Sequence, residues 1–108
     1  MTLLTSKLRS QLPELYSTQR LGMKPLALVK CFTPDYFWVW YASGFDGQST
    51  FYGLMIDHKP NHSALGYFSL SELKATCSPM GLPVERDIHF EPETFESLYA
   101  KHSQMRAV

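Results

Sequence analysis

The strongest constraint on the fold is a pair of apolar runs, residues 37–45 and 50–57, which are joined by Asp46-Gly47. An Asp-Gly dipeptide between two such runs is typical of a tight turn, so these residues predict a β-hairpin. Because side chains alternate along a strand, the aromatic residues of the first run fall on both of its faces. A strand with two apolar faces is normally central in its sheet and covered on both sides, unless one aromatic face is left open for a partner.

The remaining residues predict short elements around this hairpin. Periodicity and capping signals predict three helices, at about residues 6–12, 70–76 and 92–102. β-Rich runs bounded by turn residues predict three further strands, at about residues 26–33, 64–70 and 86–90. A chain of 108 residues can build one core. We therefore expect a single α+β domain over residues 1–108, with a sheet of about five mostly antiparallel strands and three short helices.

Composition argues against several classes of protein. Ten Lys+Arg against ten Asp+Glu give a formal net charge of zero, which removes the bulk attraction on which generic nucleic-acid coating depends. No apolar run approaches the ~18 residues of a membrane span, and no signal-peptide pattern opens the chain, so we expect a cytoplasmic protein that contacts no membrane. Cys31 and Cys77 lack a C-x-x-C partner and are expected to be buried thiols, with a disulfide as the alternative in an oxidising compartment.

Metal binding has little support in the sequence. His58 and His62 have the spacing at which two imidazoles share a helical face, but Pro60 between them argues against a helix. We expect a solvated loop there, with no metal and no cofactor.

A series of short motifs gives a more specific signal. The motifs, in chain order, are FTPD (32–35), WVWYA (38–42), FDG (45–47), TFYGL (50–54), LGYFSLSEL (65–73) and GLPVERD (81–87). This series resembles a family of small bacterial proteins catalogued as domain of unknown function 2958, over nearly the whole chain. Members of the family have no established biochemical activity and are typically encoded on plasmids, phages and integrated elements, often near anti-restriction and DNA-processing genes. The resemblance implies an accessory protein of a mobile element, and suggests counter-defence against restriction or CRISPR systems.

Around the hairpin the chain departs from the family pattern. Members tend to carry acidic residues near the positions of Gly44, Gln48 and Ser49. Their absence here argues against a carboxylate metal site in the hairpin loop.

Three functional hypotheses from different classes remain open. The favoured one is a non-enzymatic protein, monomeric or homodimeric, that binds a protein partner through aromatic residues of the central strands. Its candidate residues are Tyr36, Trp38, Trp40, Tyr41, Phe51 and Tyr52. The alternative is a nucleic-acid-binding module that combines exposed aromatic residues with basic residues near the N-terminus. Its candidates are Lys7, Arg9, Arg20, Lys24 and Lys30.

The third hypothesis is a small hydrolase or metal enzyme. Strand alternation over residues 86–90 would place Glu85, Asp87 and His89 on one face, with Arg86 on the other, and two carboxylates beside an imidazole could do acid–base chemistry. The competing interpretation is a structural role. In that role Arg86 holds the chain through charge-assisted hydrogen bonds to a carboxylate, while Glu85 and Asp87 stay in water. We favour the structural role.

Overall fold

The structure, a computed structural model, describes residues 2–15, 22–34, 38–56 and 64–106. Within these ranges the strands are β1 (Leu26–Ala27), β2 (Val29–Phe32), β3 (Val39–Phe45), β4 (Thr50–Ile56), β5 (Ala64–Ser69), β6 (Glu85–Arg86) and β7 (Glu93–Thr94). The helices are α1 (Ser6–Gln11), α2 (Leu70–Ala75) and α3 (Phe95–Arg106). Five strands form an antiparallel sheet in the order β5-β4-β3-β2-β6, and β1 pairs with β7 in a separate antiparallel pair. The expected α+β architecture is confirmed.

The predicted hairpin is present and is held by its turn. The carboxylate of Asp46 accepts hydrogen bonds from the backbone N–H groups of Gln48, Ser49 and Thr50 at 2.8, 2.8 and 3.0 Å. These three donors hold the pKa of Asp46 below its usual value. Gly47 adopts a positive φ of 88°, which a residue with a Cβ rarely tolerates. The turn therefore fixes the register of β3 against β4.

The hairpin is covered on both sides, as its two apolar faces indicate. We call the two sides the α2 face and the α3 face, after the helix that packs on each. The core of the α2 face contains Val29, Cys31, Ala42, Phe45, Phe51, Phe68, Leu70 and Leu73, with Leu8 of α1 and Leu12, which follows that helix, packed against it. The core of the α3 face contains Ala27, Tyr41, Tyr52, Leu54, Ile56, Phe95 and Leu98. A single strand thus supplies side chains to two cores.

A β-bulge near the end of β3 changes the face to which the last residues of the strand point. The register shifts between Ala42 and Gly44, which leaves Ser43 as the extra residue. The shift turns Phe45 to the same face as Ala42, so Phe45 packs on Phe51 with 4.7 Å between ring centroids. The alternation of side chains in residues 37–45 does not predict this bulge.

The cap of α2 forms as the sequence predicts. Ser69 precedes the helix in an extended conformation, and its hydroxyl accepts a hydrogen bond from the backbone N–H of Glu72 at 2.9 Å. Thr5 caps α1 in the same way, through the N–H of Leu8 at 3.2 Å. Each cap satisfies a backbone donor that has no partner within its helix.

The last helix begins later than expected, at Phe95 rather than at Pro92. The residues between them, Glu93–Thr94, are extended because they pair with β1, whose position nearly seventy residues earlier cannot be inferred from local patterns. The same pairing divides the expected strand over residues 26–33 into β1 and β2. The backbone N–H of Phe95 then donates to the carbonyl of Pro25 at 3.1 Å, which satisfies one of the first donors of α3.

Two further expectations are corrected. The strand expected at residues 86–90 ends at Arg86, because the carboxylate of Asp87 accepts the N–H of His89 at 2.9 Å and turns the chain. Cys77 is exposed rather than buried, since it lies in an isolated bridge to Pro83 outside both cores, whereas Cys31 is buried as expected. Among the described residues, no helix has the length and apolar character that crossing a membrane requires.

Candidate functional site

One end of the α2 face carries large side chains that the helices only partly cover. Met55 lies opposite Trp40, Trp40 lies opposite Cys31, and Cys31 lies opposite Arg86. Directly opposed residues in an antiparallel pair point to the same side of the sheet, so these four side chains form a row across it. Cys31 is buried, whereas Met55, Trp40 and Arg86 are half-buried.

A second tryptophan extends the row. Trp38 precedes Trp40 by two residues and therefore faces the same side, and the centroids of the two indole rings lie 6.5 Å apart at an angle of 60°. Trp38 is also half-buried. We define the tryptophan surface as Trp38, Trp40, Met55 and Arg86.

Hydrogen bonds hold the two ends of this surface. The N–H of Trp38 donates to the hydroxyl of Thr33 at 3.2 Å, and the N–H of Thr33 donates to the carbonyl of Trp38 at 3.1 Å. At the other end, Nε of Arg86 donates to the carbonyl of Thr2 at 3.0 Å. These hydrogen bonds hold the backbone of Trp38 and the side chain of Arg86, one at each end of the surface.

Cys31 lies beneath this surface and has a perturbed thiol. Burial raises the pKa of Cys31 to about 12, and the charge of Arg86 offsets part of that rise. A thiol with so high a pKa stays protonated near neutral pH and is a poor nucleophile. Cys31 is therefore a core residue that supports the surface.

The structure corrects half of the predicted partner-binding set. Tyr41, Phe51 and Tyr52 are only 2%, 2% and 6% exposed, because two cores on opposite sides of one sheet need their rings. Each of these rings therefore offers almost no exposed area to a protein partner. Trp38 and Trp40 keep partial exposure, and Tyr36 lies outside the described residues.

The predicted basic residues do not gather on one side of the sheet. Lys7 and Arg9 lie on α1, which packs on the α2 face, and Arg9 donates to the carbonyl of Gly47 at 3.1 Å. Lys30 points to the α3 face, between the α2-face residues Val29 and Cys31. Lys24 is exposed ahead of β1, and Arg20 lies outside the described residues. The described members of this set are therefore split between two faces of the molecule.

The predicted acid–base group is also separated. Because the strand ends at Arg86, Glu85, Asp87 and His89 do not share a strand face. Asp87 lies 3.7 Å from Nζ of Lys30, His89 is exposed, and Glu85 lines a cavity with Lys74 and Val84. Within the described ranges, no three His, Cys, Asp or Glu side chains are close enough to hold a metal ion, and His58 and His62 lie outside those ranges.

The α3 face brings together residues to which the sequence analysis gives unrelated roles. Lys30 and Tyr41 are paired in register across β2 and β3, and Asp87 forms an ion pair with Lys30. The hydroxyl of Tyr41 lies 2.7 Å from Nε2 of His102, on the inward side of α3. The signal in the sequence was the helical spacing of Phe95, Leu98, Tyr99 and His102, which predicts one buried face of the helix but not its partner. Tyr99 is a correction to that prediction, because its side chain is exposed.

Together, these features define a small α+β domain with two cores around one sheet and an aromatic surface at one end of it. The chain belongs to the family described as Protein of unknown function (DUF2958), whose model matches residues 3–107. The match covers almost the whole chain and confirms the resemblance that the motifs indicate. No curated protein and no solved structure matches the chain.

Proposed function

We propose that this protein is a non-enzymatic accessory protein that acts by binding another protein through the tryptophan surface. The observation that carries the proposal is the partial exposure of Trp38 and Trp40, while the tyrosine and phenylalanine rings of the same hairpin are buried. Tryptophan, arginine and methionine are enriched at protein interfaces, and tryptophan and arginine account for much of the binding energy there.

The anchoring of the backbone that carries the indoles also supports protein binding. Trp40 lies in β3 and Trp38 just before it, and Thr33 holds the backbone of Trp38 through three hydrogen bonds. A backbone that is already held in a sheet loses little conformational entropy when a partner docks. Arg86 contributes the cation of the surface, so we expect a partner that presents an apolar patch beside a carboxylate.

A nucleic-acid partner is less well supported. Stacking of bases on the two indoles would need basic residues beside them to contact the phosphates. Of the predicted basic residues that the structure describes, Lys30 lies on the α3 face, away from the indoles, and Lys7 and Arg9 lie on α1 rather than on the strand that carries the indoles. Arg86 is the basic residue of the tryptophan surface, and a single cation is few for a surface that tracks a phosphate backbone. The formal net charge of zero points the same way.

The biological setting of the proposal rests on the family resemblance. Members of the family are typically encoded on plasmids, phages and integrated elements, often near anti-restriction and DNA-processing genes. We therefore place the protein among the accessory proteins of a mobile element and propose counter-defence, against restriction or CRISPR machinery, as its role.

Affinity capture from a bacterial host, with identification by mass spectrometry, tests the proposal. We expect the wild-type protein to retain a specific partner that the Trp38→Ala variant loses, with affinity reduced by about thirtyfold, as for a residue worth about 2 kcal/mol at an interface. Tyr99→Ala is the matched control, because Tyr99 is an exposed aromatic residue on α3, remote from the tryptophan surface in the sequence and on a different element.

Circular dichroism must first show that each variant is folded. Trp38→Phe provides a second variant, which keeps a ring and should retain part of the affinity. Equal retention of the partner by the wild type and both Trp38 variants would exclude the tryptophan surface. Retention on single-stranded DNA that falls steeply with salt would instead support the nucleic-acid alternative.

A further inference from the structure

A second site lies on the opposite side of the sheet. A half-open cleft of about 280 Å³ lies between the sheet and α3. Tyr41 and His102 line it together, Phe90 and Leu98 provide its apolar lining, and Lys30 is one of its charged residues. Part of α3, β3 and the segment after β6 thus meet around one concave volume.

The polar pair within this cleft is held in one arrangement. Burial, with smaller contributions from the carboxylates of Glu93 and Asp87, raises the pKa of Tyr41 well above its usual value. The phenol therefore keeps its proton near neutral pH, and its oxygen lies within hydrogen-bond distance of Nε2 of His102, at 2.7 Å. The ring of Phe90 packs against Tyr41 with 5.7 Å between centroids. These contacts give the cleft a preformed aromatic lining.

On one side of the cleft, the carboxylate of Glu93 is already paired with neighbouring side chains. Nζ of Lys101 lies 2.9 Å from Oε1 and 2.7 Å from Oε2 of Glu93, and the hydroxyl of Ser97 donates to the same carboxylate. These hydrogen bonds lower the pKa of Glu93, so it remains ionised and engaged near neutral pH. Glu93 therefore has its own partners and is not needed to neutralise Lys30.

Lys30, by contrast, has donors to spare. Its ammonium is half-buried and lies 3.7 Å from Oδ2 of Asp87, which is longer than a hydrogen bond. The ammonium also lies 5.7 Å from the centroid of Phe32, a weak cation–π contact. Within the described part of the chain, Nζ of Lys30 makes no hydrogen bond in addition to these contacts. A partly buried ammonium is stabilised when its N–H groups donate hydrogen bonds to an oxygen.

We propose that this cleft binds a small carboxylate with a flat apolar body. The carboxylate accepts hydrogen bonds from Lys30, and the apolar body packs against Phe90 and Leu98. A volume of about 280 Å³ is slightly below the range usual for drug-sized ligands, which favours a molecule of roughly ten non-hydrogen atoms. The site goes beyond the proposed function, because it lies on the α3 face and shares no residue with the tryptophan surface.

A titration of ¹⁵N-labelled full-length protein with benzoate tests this inference by nuclear magnetic resonance. We expect saturable shifts at residues that line the cleft, and much smaller shifts with benzamide, which has the same shape without the charge. Lys30→Gln should weaken benzoate binding by about tenfold, since a hydrogen bond to a charged group is removed.

The matched control is Lys74→Gln. Lys74 lines the other cavity, which also has a volume of about 280 Å³. The two variants have the same net charge, so a difference in benzoate affinity between them shows which of the two cavities binds the ligand. Affinity that is unchanged in Lys74→Gln and reduced in Lys30→Gln supports the site. Absence of saturable shifts up to about 50 mM benzoate, equal shifts with benzamide, or loss of binding in Lys74→Gln alone overturns it. None of these outcomes depends on the result of the capture experiment.

Discussion

Raising the pH above 9 is expected to destabilise the wild-type protein more than a Cys31→Ala variant. The thiol of Cys31 has a pKa of 9.0 in the unfolded chain and about 12 in the folded protein, chiefly because it is buried. Below pH 9 both states keep the proton, so the stabilisation is fully present. Above pH 9 the unfolded chain releases a proton that the folded protein retains, and the stabilisation is lost progressively until about pH 12.

The size of the effect follows from these two pKa values. Between pH 8 and pH 10, the free energy of unfolding of the wild type should fall by about 1.4 kcal/mol more than that of Cys31→Ala. Cys31→Ala also leaves a small cavity, but that cost is the same at each pH and cancels in the comparison of slopes. The tyrosines and lysines of the two proteins are identical, so their titration cancels as well.

Urea unfolding followed by tryptophan fluorescence, at pH 8, 9 and 10 with a phosphine reductant, measures the difference. Cys77→Ala is the matched control, because it removes the exposed thiol, and its stability should follow the wild-type curve across this range. Parallel curves for the wild type and Cys31→Ala would refute the reasoning, since they would show that the folded protein releases the Cys31 proton as readily as the unfolded chain does.

Two further predictions concern stability and are checked by the same urea assay at pH 7. Phe95→Ala should lower the free energy of unfolding by about 3–5 kcal/mol, because Phe95 is completely buried between α3 and the sheet. Tyr99→Ala, on the exposed side of the same helix, should change the free energy of unfolding by less than about 0.5 kcal/mol, and similar losses for the two variants would contradict the assigned orientation of α3. Gly53→Ala should cost at least about 3 kcal/mol, because the new Cβ would lie 1.8 Å from the carbonyl oxygen of Tyr41 on the neighbouring strand. Gly47→Ala should cost only about 1 kcal/mol, since it strains a φ of 88° but meets no atom within 4 Å, and a larger loss at Gly47 than at Gly53 would contradict this account.

Local signals in the sequence predict the central sheet well. The Asp46-Gly47 turn and the alternation in the two runs that flank it locate β3 and β4, and Ser69 locates the junction of β5 with α2. These features depend on residues that are close together in the chain. The pairing of β1 with β7 depends on residues that are far apart in the chain. Local signals therefore could not predict the division of the first strand or the late start of α3, which both follow from that pairing.

The candidate sites were predicted less completely, for a related reason. Trp38 and Trp40 were identified from composition and alternation, but the row that adds Met55 and Arg86 requires the register of four strands. The cleft on the α3 face requires Tyr41 of β3 to meet His102 of α3, a contact across most of the chain. Residue type indicated which side chains were available, and only tertiary packing determined which of them meet.

Register between β2 and β3 is what both proposals depend on. Lys30 lies opposite Tyr41 on the α3 face, and Cys31 lies opposite Trp40 on the α2 face. A slip of one residue would exchange these pairs between the two faces, so the two cores specify both surfaces at once. Because those cores need most of the rings of the hairpin, the tryptophan surface consists of the few large side chains that remain only half-buried. An interface centred on so few residues must gain the rest of its buried area from the surface that surrounds them. The indoles would then lie at the centre of that interface rather than at its rim, so Trp38→Ala should cause a large loss of affinity.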